Sequence, residues 1–287
     1  MHPSTPLNLR RFAIPFASQQ IPRHWCGGDP VVSHLLNTYT VLCPGNEGYY
    51  IRTLQRAVPR LEDPQLAAVV RMFCLQEGQH GVGHRRYWKV LTEQGYTFER
   101  FEKAVAAFAY KGLERITPLA IRVSMVACVE HINAFLGEEF IRGDLLHDAE
   151  PQVKALFEWH FAEEIEHKNV AFDVLRAVAP SYPVRVLGAL LVVPFFYILM
   201  MTGTLNFLRQ DRAIFKRSTW RGFRLHFWGR DHMARRTIAH LWNYLRPGFH
   251  PEQTNNRHLA AAVIARYAAM ETPPIEWIEE RERARAA

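Results

Sequence analysis

Two Glu-x-x-His units, Glu77-Gly78-Gln79-His80 and Glu164-Ile165-Glu166-His167, have the residue types and spacing to hold metal ions. Three residues apart on a helix, a carboxylate and an imidazole leave the same face about one turn from each other, so they can grip one cation together. Each unit has a lone glutamate upstream, Glu47 before the first by 30 residues and Glu130 before the second by 34. An antiparallel helix pair with a short connection returns to the same depth after about that many residues, since a helix rises ~1.5 Å per residue. One such unit alone is more often a solvated face or a satisfied core histidine. Two matched units, each with its own glutamate, carry the metal reading. Four carboxylates and two imidazoles suit a pair of divalent first-row metals, and the negative donors offset the cation charge. Two iron ions are expected, and manganese fits the same donors.

Helices must position these groups. Apolar residues recur at helical spacing over 31–40; Cys43-Pro44-Gly45-Asn46 then reads as an interruption, with a restarted helix over 47–57. Glu47 is therefore expected in the first turn of the restarted helix or just before it. Asp63-Pro64 is an N-cap followed by a proline at the first helical position, opening a long helix that Gly95 stops. A shorter helix over 98–109 follows, then a long one over 118–143 bearing Glu130. Another opens near Glu150-Pro151 and runs to about Val178, closed by Pro180 and Pro183. Val70, Phe73, Cys74, Glu77, His80 and Gly81 share one helical face. Phe157, His160, Glu164, His167, Ala171 and Val174 share another. Polar donors thus interrupt apolar stripes, where unpaired carboxylates are costly and cations are the simplest compensation. His84, one turn past His80, is a weaker candidate ligand. His131 points about 100° away from Glu130 and is expected to be structural. Trp159 and the Tyr49-Tyr50 pair, near the ligands in sequence, are expected in core packing.

No stretch alternates like a strand and none repeats, so the class is all-α. Residues 1–29, with several prolines and few helix signals, read as an irregular arm over the body. Residues 30–180 hold the metal bundle, and 181–287 form a helical extension packed on it as one domain, with helices expected over 233–245 and 251–270. Within the extension, 186–208 is a run of 23 uncharged residues, long enough to span a bilayer. Pro194, Gly188, Gly203 and Asn206 weaken a simple span, so a helix or hairpin buried in the core or in a homodimer interface leads, followed by contact with a membrane surface.

The chain carries 35 Lys and Arg against 28 Asp and Glu, with the excess concentrated over 209–236. No recognisable nucleic-acid module accompanies it, so a solubilising basic surface is expected rather than a nucleic-acid site. Cys26, Cys43, Cys74 and Cys128 are widely spaced, which argues against a zinc knuckle and against a disulfide framework. The first 20 residues lack the apolar core of a secretory signal, so a cytoplasmic location is expected, with attachment to the membrane periphery as the alternative.

The Pro44–Tyr50 stretch, Gln76 to His80, His160 to Lys168 and Arg246 to Pro251 resemble the bacterial family of predicted metal-dependent hydrolases, over about residues 23–251. The ligand pattern itself resembles ferritin-like di-iron carboxylate proteins, which implies a ferritin-like four-helix bundle with additional C-terminal helices. His160, with Glu164 and His167, forms a His-x-x-x-Glu-x-x-His arrangement similar to that of the p-aminobenzoate N-oxygenases. That likeness implies His160 as a third imidazole ligand; a packing or supporting role is the alternative.

The leading functional expectation is a di-iron oxygenase that uses O2 to hydroxylate, N-oxygenate or desaturate an apolar small molecule or acyl chain. Such an enzyme needs a ferredoxin or flavoprotein reductant, and a basic surface suits an acidic ferredoxin. A metal-dependent hydrolase using a metal-bound water is the runner-up, and a non-catalytic iron-binding protein ranks third.

Overall fold

Three long helices begin with the same punctuation, a carboxylate N-cap followed by proline at the first helical position. Asp29 accepts from the backbone of Val31 and Val32, Asp63 from Gln65 and Leu66, and Glu150 from Gln152 and Val153. The structure is a computed structural model that describes residues 7–11, 14–229 and 232–271. Every regular element among the described residues is helical, as expected. They are α1 (Pro30–Ala57), α2 (Pro64–Glu93), α3 (Glu99–Val105), α4 (Glu114–Ile116), α5 (Leu119–Arg142), α6 (Pro151–His167), α7 (Val170–Val178), α8 (Tyr182–Gln210), α9 (Arg217–Phe227), α10 (Met233–Tyr244) and α11 (Arg257–Tyr267).

Helix α1 packs on α2, and α5 packs on α6; α8 lies against both α1 and α5. Leu54, Val70, Phe73, Val123, Val126, Leu156, Phe157 and Phe161 fill the space between them, all inaccessible to solvent. Helix α11 closes the far side of α6, pairing Ala260 and Val263 with Ala162 and Ile165. The N-terminal arm, where described, crosses the bundle through Leu7, Ile14, Ile21 and Trp25, all buried. Residues 1–6 and 12–13 of the arm, and 230–231 and 272–287 of the C-terminal extension, lie outside the described residues.

Two sequence expectations about helix boundaries fail. Residues 43–46 do not interrupt a helix; α1 runs continuously through Pro44. A proline in a helix interior leaves the carbonyl four residues earlier without its donor, here Thr40. Trp88 on α2 supplies the replacement, its indole Nε1 donating to the Thr40 carbonyl at 2.9 Å. Replacing Trp88 with Phe keeps the aromatic body and orphans that carbonyl, so chemical denaturation should find the variant destabilised by ~1–3 kcal/mol.

The expected single helix over 151–178 is in fact two, α6 and α7, separated at Lys168-Asn169. The Lys168 ammonium donates to the Thr254 carbonyl and to Asn256 Oδ1, and Asn169 donates to Glu252. The break is thus tied to the 252–256 segment, a distant partner that no local pattern announces. The expected helix over 98–109 is helical from Glu99 onward but changes type, α3 giving way to a π-helical stretch over Ala106–Leu113.

The uncharged run 186–208 lies inside α8, a single helix with two unlike faces. Gly188 and Gly203 sit so close to Ser124 and Thr38 that a Cβ at either would fall within 3 Å of them, which explains small residues at these points. The outward face keeps Leu187, Leu190, Leu191 and Ile198 exposed. By length and composition α5 and α8 are both apolar enough to cross a membrane, and α5 is largely enclosed within the bundle.

A candidate dimetal centre

Glu47 comes from α1, Glu77 and His80 from α2, Glu130 from α5, and His160, Glu164 and His167 from α6. The structure brings all seven to one place in the bundle, none more than 3% exposed. The continuity of α1 through Pro44 is what places Glu47 in mid-helix. Gly81 makes room for it, because a Cβ there would meet Glu47 Oε2 at 3.0 Å.

The geometry divides into two halves with a shared middle. His80 Nδ1 lies 3.6 Å from Glu47 Oε1, and His167 Nδ1 lies 3.9 Å from Glu130 Oε2. Glu164 faces both imidazoles, with Oε1 4.0 Å from His80 Nδ1 and Oε2 4.0 Å from His167 Nδ1. Glu77 Oε1 also reaches both, at 3.9 Å from His80 and 2.8 Å from His167. Glu77, His80, Glu164 and His167 each offer one donor atom within 4.8 Å of the others. Glu47 and Glu130 thus lie at opposite ends, and Glu77 and Glu164 lie between the two imidazoles.

Buried polar atoms are normally paired, and leaving one unpaired costs ~1–3 kcal/mol or more. Here both oxygens of Glu77, Glu130 and Glu164, one oxygen of Glu47, and the Nδ1 atoms of His80 and His167 have no hydrogen-bond partner. The short His167–Glu77 and His160–Glu164 contacts lack hydrogen-bond alignment, and the remaining unpaired atoms aim at a common centre rather than at one another. Four carboxylates carry four negative charges when ionised, which two divalent cations balance. The donor set therefore fits a pair of metal ions.

Protein partners fix the outward nitrogens of both rings. His80 Nε2 lies 2.8 Å from Glu163 Oε2, so this nitrogen carries the proton and Nδ1 faces the centre. His167 Nε2 lies 3.2 Å from Gln76 Oε1 in the same role. Gln76 also donates to Glu163 Oε1 at 3.2 Å, and Arg10 of the N-terminal arm donates to that oxygen at 3.1 Å. The bracing is crossed: Gln76 on α2 supports the histidine of α6, and Glu163 on α6 supports the histidine of α2. The sequence pattern does not single out Glu163 and Gln76 as supports, although each immediately precedes a candidate ligand glutamate. Replacing Glu163 with Gln should lower divalent-metal affinity ~10–100-fold, measured by competition titration, while the helical circular-dichroism spectrum is retained.

His160 differs from the other two imidazoles. Its Nε2 lies 2.9 Å from the Tyr39 hydroxyl and 3.0 Å from Glu164 Oε1, and its Nδ1 lies 3.1 Å from His84 Nε2. Both nitrogens thus have neighbours, although Nδ1 is also 3.8 Å from Glu47 Oε1 on the His80 side of the centre. His84, which meets His160 through Nε2, is held at Nδ1 by Thr40 Oγ1 at 3.0 Å. His131 packs away from the centre, its ring stacked 3.7 Å from that of His240. Trp159 packs edge-on to His80, and Tyr50 is buried beside Glu47.

Burial, reinforced by the neighbouring carboxylates, raises the acids well above the ordinary range at Glu47, Glu77 and Glu130, and raises Glu164 as well. Burial opposes charge on His80 too, but the hydrogen bond to Glu163 and the surrounding carboxylates push it up to about 9. Burial and the other imidazoles hold His160 well below its ordinary value. A separate group of His24, His34 and Asp211 lies elsewhere; there Asp211 Oδ2 already accepts from His24, His34 and Tyr96 at 2.7–2.8 Å, which marks a structural tie.

Helices throughout the described residues, with buried glutamates and histidines facing one centre, define a metal-binding protein. The chain belongs to the family described as predicted metal-dependent hydrolases, whose model matches residues 8–255. No curated protein and no solved structure is significantly similar to it.

Proposed function

We propose that this protein is a di-iron oxygenase that uses O2 to oxidise an apolar organic substrate. The observation that carries this reading is the placing of Glu164 and Glu77 across the His80 and His167 nitrogens, with a terminal carboxylate on either side. When bound, an iron pair would supply two electrons to dioxygen together, which one ferrous ion does less readily. The balanced outcome for hydroxylation or N-oxygenation is one oxygen atom in the substrate and the other in water, with two electrons and two protons from outside. Desaturation takes the same electrons and protons and gives two waters. A ferredoxin or flavoprotein would provide the electrons, and the net positive charge favours an acidic one.

The chain's own residues have defined work in this scheme. Glu163 and Gln76 hold the protons on His80 and His167 Nε2, keeping the Nδ1 lone pairs turned to the centre. Burial raises the Tyr39 hydroxyl well above its ordinary value, so it stays protonated beside His160. Leu42, Phe196 and Met200, with Tyr50, cover the Glu47 and Glu164 side and limit water there. Manganese would suit the same donors. The exposed Leu187, Leu190, Leu191 and Ile198 of α8 favour contact with a membrane surface or a second copy of the chain.

The family description favours a second reading, hydrolysis assisted by the metals. Adding two ferrous ions per chain without air, then admitting oxygen, separates the two. The oxygenase reading expects oxygen uptake beyond that of free iron and no cleavage of activated esters. Ester or phosphate-ester cleavage by the metal-loaded protein without air, and no added oxygen uptake, would reverse the assignment.

A further inference from the structure

Beside Glu47 and Glu164 lies a cavity of about 10 Å³, whose lining includes Tyr39, Phe196 and Met200. The same three side chains border a second cavity of about 140 Å³ enclosed by α1, α5, α6, α8, α9 and α10. Apart from the polar tips of Tyr39, Tyr197, His226 and Thr237, its lining is hydrocarbon and thioether, including Leu35, Leu136, Phe140 and Phe161. Val32, Leu145 and His226 also border an outer groove of about 580 Å³, whose rim carries Asp29, Asp144, His147 and Asp148. Polar groove, apolar cavity and dimetal centre are therefore consecutive, joined by shared walls.

Protein interiors are packed to the density of organic crystals, so an apolar void of this size is an exception. Hydrocarbon-lined cavities stay dry, and one of ~150 Å³ accommodates benzene. Met200 is an unbranched side chain that adapts its shape readily, which suits a wall that must yield. It sits in α8 six residues beyond Pro194, whose missing N–H leaves one gap in the helix ladder.

We propose that the 140 Å³ cavity is the substrate pocket, and that it takes a hydrocarbon group of about benzene's size, a ring or an alkyl segment of about six carbons. The group enters from the groove and reaches the Glu47 and Glu164 edge past Met200. Its chemical purpose rests on the dimetal reading; its binding does not.

Fluorobenzene and 1-fluorohexane, followed by ¹⁹F NMR with the full-length protein, test this directly. The expected result is saturable binding of at least one probe, weakened tenfold or more by Leu136→Trp within the cavity and by Met201→Trp at its partly exposed rim. In protein loaded with ferrous ion without air, the bound probe should relax faster than in metal-free protein, because the cavity adjoins the centre. No saturable binding, binding undiminished in both variants, or no faster relaxation in metal-loaded protein would each overturn the assignment. Metal content measured on the same samples keeps the two proposals apart. Two ions per chain without probe binding removes the pocket alone, and probe binding without metal uptake removes the dimetal reading.

Discussion

Glu164→Ala should reduce tightly bound metal from two ions per chain to none, measured by elemental analysis after dialysis. Glu164 offers one oxygen toward His80 and the other toward His167, so its loss strips a donor from both positions at once. Glu77→Ala should act alike, since Glu77 Oε1 also lies between the two rings. The end groups should behave differently. Glu47→Ala should weaken the ion on the His80 side and Glu130→Ala the ion on the His167 side, each leaving the other position occupied. Losing a direct ligand should cost at least as much affinity as losing a supporting partner, ~10–100-fold. Unchanged helical content in each variant separates loss of donors from loss of fold. Equal losses from all four substitutions would contradict the division into end and bridging groups.

The second large effect is on stability. In metal-free protein Glu47, Glu77, Glu130 and Glu164 are raised above their ordinary value, chiefly by burial, so the folded state holds protons that the unfolded chain releases. Such groups contribute stability that is complete below the unfolded value and is lost as pH rises through the folded one. His80, raised from 6.5 to about 9, acts in the same direction between those values. His84, His160 and His167 are lowered by burial and oppose the trend only below about 6.5, where the unfolded chain would charge them. Metal-free protein should therefore lose stability between pH 6.5 and 9. A shift of one pKa unit is worth ~1.4 kcal/mol, which makes the His80 contribution on the order of 3 kcal/mol. For a chain of this size that corresponds to a fall in melting temperature of roughly 5–10 °C. Metal-loaded protein should not show this fall, because the ions stabilise the ionised carboxylates and their uptake releases protons. Scanning calorimetry at pH 6.5 and 9, with and without two equivalents of metal, checks both statements. A metal-free melting temperature that rises over this interval would contradict the account.

Much of this arrangement was legible from local chemistry. A glutamate and a histidine three apart on a helix must share a face, and the carboxylate-proline starts at Asp63 and Glu150 mark where two of the helices begin. The features missed were those that depend on distant partners. Pro44 looks like a helix break until Trp88 satisfies Thr40, and the 151–178 segment looks continuous until the 252–256 segment binds Lys168 and Asn169. Glu163 and Gln76 sit beside candidate ligands in sequence, but their crossed support appears only when α2 and α6 face each other. The tie from Arg10 to Glu163 joins residues 153 positions apart, which no periodicity can reveal. His160 stands between these cases. Its helical face is plain, while its contacts with Tyr39 and His84 depend on how α1 and α2 pack against α6.

Crystals grown with manganese or ferrous ion and measured at the metal's absorption edge test the central claim most directly. The account predicts two anomalous peaks, roughly 3.5–4 Å apart as in other two-metal sites, enclosed by Glu47, Glu77, His80, Glu130, Glu164 and His167. An absence of peaks among these side chains in crystals that hold the metal elsewhere would contradict it.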